Sequence, residues 1–206
     1  MVNRWFLQRL EHHLYEPDSS LRNDSYYISV LEEALTSGHL DGMMRIRPLY
    51  QLKMLKKNRI GIKAADFTFI LSTGELQNLW DISAKYTLLL FYDPDCIYCR
   101  QSMMELSESS IINSFLQHSG LSLSQLALVT ICMEGEIDMW KEYQQSLPSV
   151  WINGYDVRKV LTEKELYFLR SLPSIYLLGE DKQVLLKEPS SISEVTSYLL
   201  NKYDDI

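Results

Sequence analysis

Cys96 and Cys99, separated only by Ile97 and Tyr98, are the residues of this chain best suited to chemistry. They follow Asp93-Pro94-Asp95 and, before that, the apolar run Tyr86-Thr87-Leu88-Leu89-Leu90-Phe91-Tyr92. The run reads as a buried strand, and the residues from Cys96 onward read as a helix. Both sulfurs then lie on the first helical turn. There the unbonded backbone N–H groups and the positive end of the helix dipole favour a thiolate over a thiol. A thiolate with a second thiol in reach can trade disulfides with another molecule, so thiol–disulfide exchange is the chemistry expected. The same spacing is also half of a zinc site. Completing one takes two more ligands, and only Cys132 and scattered histidines remain to supply them.

The elements that must hold this pair are legible on both sides of it. The run from Tyr86 to Tyr92 is apolar nearly throughout, as in a central strand covered on both faces. The Cys96 helix continues through Met103 and Leu106 to a break at Ser107 to Ser110, and Ile111 to His118 forms a further helical piece. Leu126 to Cys132 is another largely apolar strand, followed by helical spacing at Ile137, Trp140, Tyr143 and Leu147. Ser146-Leu147-Pro148-Ser149 and Asn153-Gly154 read as loops on either side of Val150-Trp151-Ile152. Ser174 to Leu178 is a strand, Gly179-Glu180-Asp181-Lys182 a turn, and Gln183 to Leu186 its partner. Ser191 with Glu194 three residues on is a capping box for a last helix that buries Ile192, Val195 and Leu199.

Upstream, Asp66 to Leu71 alternates like a strand, Ser72-Thr73-Gly74-Glu75 is a hairpin turn, and Leu76 to Trp80 returns. Before Asn58 the pattern is helical. Phe6, Leu7, Leu10 and Leu14 mark one helix and Tyr27, Val30, Leu31 and Leu35 a second. Met43 to Leu55 is a third, which Pro48 is expected to kink or split. The whole reads as an α/β sandwich around a central mixed sheet, residues 59–206, preceded by a small all-helical unit, residues 1–58.

The totals narrow the function. A net charge of −7 argues against nucleic acid as a partner, since phosphate neutralisation needs clustered Lys and Arg. The one basic cluster, Lys53, Lys56, Lys57 and Arg59, reads as a solvated helix face. His12, His13 and His39 lack metal-like spacing and read as surface or capping residues. Three cysteines are too few for a disulfide framework. No apolar run approaches the roughly 20 residues of a membrane span. Met1-Val2-Asn3-Arg4-Trp5 lacks the order of an export signal, which leaves a cytosolic protein or a mature exported form.

From Gly61 onward the chain resembles the thioredoxin-fold proteins of the TlpA and ResA type. Gly61-Ile-Lys-Ala-Ala-Asp66-Phe67 is similar to that family's opening pattern, with Ala65 in place of a proline. Leu90-Phe91-Tyr92 before Cys96-Ile-Tyr-Cys99 is similar to its active-site strand and helix. Ser171-Leu172-Pro173-Ser174-Ile175-Tyr176-Leu177-Leu178 is similar to the segment carrying its cis-proline. Tyr15-Glu-Pro-Asp-Ser-Ser-Leu-Arg22 and Lys57-Asn58-Arg59-Ile60-Gly61 resemble a helical domain of unknown function that precedes such modules in bacterial two-domain proteins, often exported or lipid-anchored.

The resemblance implies a thioredoxin-like sandwich and, with it, a set of roles. Cys96, nearer the helix start, attacks a protein disulfide, and Cys99 resolves the mixed disulfide. Pro173 holds a cis bond beside them, and the backbone of Leu172 pairs with substrate strand-fashion. An upstream thiol supplies electrons, the redox-active disulfide Cys96–Cys99 is the only prosthetic element, and the setting is extracytoplasmic or periplasmic. Two departures stand out. The buried acid six residues before the first cysteine is here Leu90, and the Glu six residues after it is Ser102, so the usual proton acceptors for Cys99 are absent. Glu105, a turn further on, is a candidate substitute.

Direction follows from charge. Asp93 and Asp95 oppose a thiolate at Cys96, and Ile97 and Tyr98 supply no cation, which favours a reductase over an oxidase. A peroxidase of the related peroxiredoxin type is disfavoured, because Asp93 and Leu89 stand where its Thr or Ser and its Pro belong. A binding or scaffold module with a secondary redox site is the competing reading. Cys132 reads as a buried core thiol, and Trp140, Tyr143, Trp151 and Tyr155 as packing aromatics.

Overall fold

A computed structural model describes residues 2–117 and 124–203, and the chain divides into two units, Met1–Lys57 and Asn58–Ile206. The first is helical: α1 (Val2–Leu14), α2 (Asp24–Thr36) and α3 (Ile46–Leu55), with a 3-10 turn over Gly42–Arg45. Asn23 caps α2 by accepting the Tyr26 N–H at 3.0 Å, and Tyr27, Ile28, Leu31 and Leu35 of α2 are buried. The break in the third helical segment falls after Arg45 rather than at Pro48. Pro48 sits in the first turn of α3, where its missing N–H would have found no partner in any case. α3 ends at Leu55, so Lys56, Lys57 and Arg59 follow the helix instead of lining it.

Asn58 opens the second unit. Its Oδ1 accepts the Ala65 N–H at 2.8 Å and its Nδ2 donates to the Leu166 carbonyl at 2.9 Å. Seven strands follow among the described residues: β1 (Thr68–Leu71), β2 (Leu76–Asn78), β3 (Ala84–Tyr92), β4 (Ser124–Cys132), β5 (Ile152–Tyr155), β6 (Ser174–Leu178) and β7 (Val184–Lys187). They form one mixed sheet in the order β2-β1-β5-β4-β3-β6-β7. β3, β4 and β5 run parallel, and the other pairings are antiparallel. The helices are α4 (Ile97–Glu108), α5 (Ser110–Gln117), α6 (Ile137–Tyr143), α7 (Val160–Glu163) and α8 (Ile192–Tyr203). His118, expected at the end of α5, lies outside the described residues.

β3 is an interior strand between β4 and β6, and its alternation fills two cores at once. Leu88, Leu90 and Tyr92 pack with Cys99, Met103 and Leu106 of α4 and with Val195 and Leu199 of α8. Leu89 and Phe91 pack on the opposite face with Phe67, Phe69, Tyr167 and Tyr176. One buried cation is held here. The Lys182 Nζ donates to the Ile82 carbonyl at 2.7 Å and to Thr87 Oγ1 at 3.3 Å, while burial lowers its pKa.

Several elements depart from the sequence expectation; the strand expected over Leu76 to Trp80, for one, ends at Asn78 and gives way to a 3-10 turn over Leu79–Asp81. Asn153-Gly154, read as a loop, lies inside β5, with Gly154 opposite Leu71 on one side and Ile131 on the other. A Cβ at position 154 would stand 2.3 Å from Phe69 Cδ2 and 2.9 Å from Ile131 Cδ1, so glycine is there for the close approach of a buried ring. Asn153 keeps the strand by accepting from Thr130 Oγ1 at 2.6 Å. At α8 the bonds expected of a capping box at Ser191 give way to one-way bonding: Glu194 accepts from the Ser190 N–H at 2.9 Å and from its hydroxyl at 3.0 Å, while the Ser191 hydroxyl pairs with that of Ser193 at 2.7 Å. The short α7 had no periodicity to announce it. It is nucleated by buried Asp156, whose two carboxylate oxygens accept the Val160 and Leu161 N–H groups at 2.9 Å each.

Gly154→Ala is expected to destabilise the fold by about 3 kcal/mol, the upper end for overpacking, because the added Cβ meets two side chains, Phe69 and Ile131, that are both fully buried. In urea unfolding the midpoint should drop with the slope unchanged; an unshifted midpoint would remove the steric account.

Candidate active site

The β3 register delivers the site. Tyr92 ends β3 opposite Cys132 of β4, and the chain turns at Asp93-Pro94-Asp95 into α4. Asp93 shapes that turn with both of its oxygen types. Its Oδ1 accepts the Asp95 N–H at 2.9 Å, and its carbonyl accepts the Cys96 N–H at 3.2 Å. Arg100, given no role from the sequence although it adjoins Cys99, donates from Nη1 to the Pro94 carbonyl at 3.0 Å and ties the turn to the helix.

Cys96 is the N-cap residue of α4, with extended φ and ψ, and is partly exposed. Its Sγ accepts the Cys99 N–H at 3.4 Å, one of the donors that a helix start leaves unbonded. A sulfur in this position stands where an anion is best tolerated on a helix. The same Sγ donates to the Leu172 carbonyl at 3.6 Å. Leu172 precedes Pro173, the bond between them is cis, and β6 begins at the next residue, Ser174. The structure therefore brings Cys96, Cys99, Leu172 and Asp93 together from two separate stretches of chain.

Cys99 lies on the buried face of α4 with Met103 and Leu106 and has no exposed surface. Burial pushes its thiol up to about 12. A backbone hydrogen bond with Asp93 pulls the other way, and contact with Cys96 and the Asp93 carboxylate add to the rise. The two thiols thus differ in kind: one half-open at a helix N-terminus, one enclosed and held protonated. The residues between them, Ile97 and Tyr98, are 67% and 69% exposed. Asp95 is exposed as well.

The rest of the sequence-named set is distributed around this centre. Glu105 is exposed on the outer face of α4 and accepts from Gln101 Nε2 at 3.1 Å, so it is directed away from Cys99. Cys132 is buried, donates from Sγ to the Glu134 carbonyl at 3.1 Å, and is pushed up to about 12 by burial. Trp140 and Trp151 are buried. Tyr143 lies 5.8 Å from Tyr92 and Tyr155 5.5 Å from Trp140, ring to ring, while Tyr155 Oη donates to the Gly135 carbonyl at 2.7 Å. These aromatics wall the cysteine side of the sheet. Cys96, Cys99 and Cys132 are all free thiols.

Comparison with known proteins matches each part of the chain. Residues 2–58 match a family model described as a domain of unknown function (DUF5106). None of the curated proteins matches. Among solved structures, a thioredoxin-like protein from Bacteroides caccae is 33% identical, with a TM-score of 0.89 over 96% of this chain and 69% of that one. The C-terminal domain of an uncharacterized protein from Bacteroides fragilis is 36% identical, with a TM-score of 0.64 over 69% of this chain and 98% of that one. The thioredoxin domain of a thiol-disulfide oxidoreductase from Bacteroides vulgatus shares the fold at 22% identity, with a TM-score of 0.56 over 68% of this chain and 98% of that one. Sequence identity at this level, sustained across nearly the whole length of the chain, makes it a member of the thioredoxin-like family.

Proposed function

We propose that the chain reduces protein disulfides by thiol–disulfide exchange, with Cys96 as nucleophile and Cys99 as resolving thiol. In the first step the Cys96 thiolate attacks one sulfur of a client disulfide. A Cys96–client bond forms, the client S–S bond breaks, and the other client sulfur leaves as a thiolate. Cys99 then gives up its proton and attacks Cys96 Sγ, closing the Cys96–Cys99 disulfide and releasing the second client thiol. The client gains two electrons and the pair loses two; a dithiol donor of similar or lower potential restores it. Leu172 and Pro173 would present backbone to an extended client segment, and Tyr98 would lie against it.

The observation that carries this reading is the difference between the two sulfurs: Cys96 is partly exposed at the helix cap with its Sγ against the Cys99 N–H, and Cys99 is enclosed. The relative from Bacteroides vulgatus is named a thiol-disulfide oxidoreductase, which supports the general kind of chemistry. The proposed setting is extracytoplasmic, which rests on the resemblance of the helical unit to a domain that precedes such modules in bacterial two-domain proteins, often exported or lipid-anchored. Fractionation that places the protein with cytoplasmic markers would overturn it. A second reading, a partner-binding or scaffold module with a secondary redox site, draws on Leu90 and Ser102 standing where a proton acceptor is expected.

Insulin reduction in dithiothreitol separates the two. The intact chain should accelerate precipitation, Cys96→Ser should fall to the dithiothreitol background, and Cys99→Ser should accumulate a mixed disulfide with the client. Equal rates for the intact chain and Cys96→Ser would leave only the binding module.

Direction is tested by redox titration. With Asp93 and Asp95 beside the pair and no cation between the cysteines, the midpoint should lie near that of thioredoxin, about −270 mV, and not near the about −120 mV of a strong oxidant.

The resolving step should also carry its own pH dependence. Burial and the Asp93 carboxylate keep Cys99 a weak acid while Cys96 is bonded to a client, so its thiolate fraction rises with pH through the neutral range. Decay of a preformed Cys96 mixed disulfide should accelerate accordingly from pH 7 to 9; a flat profile would mean that a local base takes the proton.

A further inference from the structure

The helical unit carries a cleft outside the redox site. It encloses about 530 Å³, within the range of ligand sites, and Leu7, Leu40, Met43, Met44 and Pro48 make its walls apolar. The polar side of this cleft is a connected network. Glu11 Oε1 accepts from Arg47 Nε at 2.9 Å, from Arg47 Nη2, and from Gln51 Nε2 at 2.6 Å. Gln51, 3% exposed, accepts in turn from Tyr27 Oη at 3.1 Å. Burial and the Glu11 charge raise the Tyr27 phenol well above its ordinary range, so it remains a donor and the network is fixed in one sense.

All three bonds fall on Oε1. Among the described residues no donor reaches Glu11 Oε2, although the Glu11 side chain is only 14% exposed. Glu16 adds a second carboxylate to the same lining, and His12 is the remaining titratable group there. The lining thus holds two acids and one guanidinium, and the guanidinium is already committed. Apolar walls under surplus negative charge suit an apolar body that carries a cation. Two of the wall residues are methionines, whose flexible thioethers fit varied apolar shapes. Met43 is 86% exposed and Met44 41%, so the wall extends past the cleft and would stay wet under a small amine but be covered by a chain.

We propose that this cleft binds an apolar polypeptide segment bearing one Lys or Arg, its aliphatic side chains between Leu7, Leu40 and the methionines and its cation on Glu11 and Glu16. This makes the helical unit a recognition site that works independently of the thiols.

The test uses the full chain with ¹³C-labelled methionine methyl groups, titrated with acetyl-Leu-Ala-Lys-Leu-Ala-amide and with the same peptide carrying Glu in place of Lys. The lysine peptide should shift the Met43 and Met44 methyl signals saturably. The glutamate peptide should bind about tenfold more weakly, a ratio expected from one partly desolvated ion pair. Glu16→Gln should erase most of that ratio, Met43→Ser should weaken both peptides, and Cys96→Ser should change neither. Equal binding of the two peptides, or no saturable shift at millimolar concentration, overturns the proposal. So does a methyl shift that follows protein concentration without peptide, which would assign the cleft to a second copy of the chain.

Discussion

Cys96 Sγ meets the Leu172 carbonyl because β3 is held between two strands of opposite sense. Its parallel pairing with β4 ends at Tyr92 opposite Cys132, and its antiparallel pairing with β6 puts Phe91 opposite Ser174. Just past those pairs, the loop that leads into α4 and the loop that ends in Pro173 have to lie side by side. The register is pinned by burial on both faces. A slip of one residue would exchange Leu90 and Tyr92 with Leu89 and Phe91 between two filled cores and carry Leu172 away from the sulfur. The contact that defines the site is thus set by packing along the whole of β3, several residues away from either cysteine.

The same constraint makes the two thiols unlike. A helix that begins where an interior strand ends has its N-cap at the sheet's rim and its inward face over the core. Cys96 takes the first position and Cys99, three residues later, the second. Asp93 acts on both. It anchors Cys96 through its carbonyl and bonds Cys99 through its backbone, while its carboxylate opposes negative charge at Cys99. Cys132, one strand over, shares the burial of Cys99 but not the helix start, and its thiol is spent on the Glu134 carbonyl. Position in the fold, more than residue type, separates these three cysteines.

Much of this was readable beforehand, and what was missed has a common cause. A strand buried on both faces announces itself as an unbroken apolar run, and a Cys-x-x-Cys after it fixes where the helix starts. These are local signals, and the structure keeps them. Asn153-Gly154 carries a local signal too, for a turn, but its glycine answers to Phe69 and Ile131, residues far away in sequence, and tertiary contact overrode the turn preference. Glu105 was a candidate by spacing along the helix. Cys99, Met103 and Leu106 define the inward face, and Glu105 falls outside it, paired with Gln101. Pro48 in a helical pattern signals a break, but the 3-10 turn before it makes it a first-turn residue of α3. In each case the missing information was which neighbour the fold would bring, something that periodicity alone does not carry.

The absent proton acceptor is the point at which these threads meet. With Leu90 and Ser102 in the expected places and Glu105 turned outward, nothing in the helix or strand removes the Cys99 proton. Two of the effects that hold that proton come from Cys96 itself, through its contact and its charge. Under the proposed exchange both weaken when Cys96 is bonded to a client, since a disulfide sulfur carries no charge and is a poorer acceptor for the Cys99 S–H than a thiolate. Burial and the Asp93 carboxylate remain, so Cys99 is still a weak acid, but a stronger one than before capture. The order of events then needs no dedicated base: while Cys96 is free Cys99 stays protonated and idle, and the arrival of a client is what begins to release it.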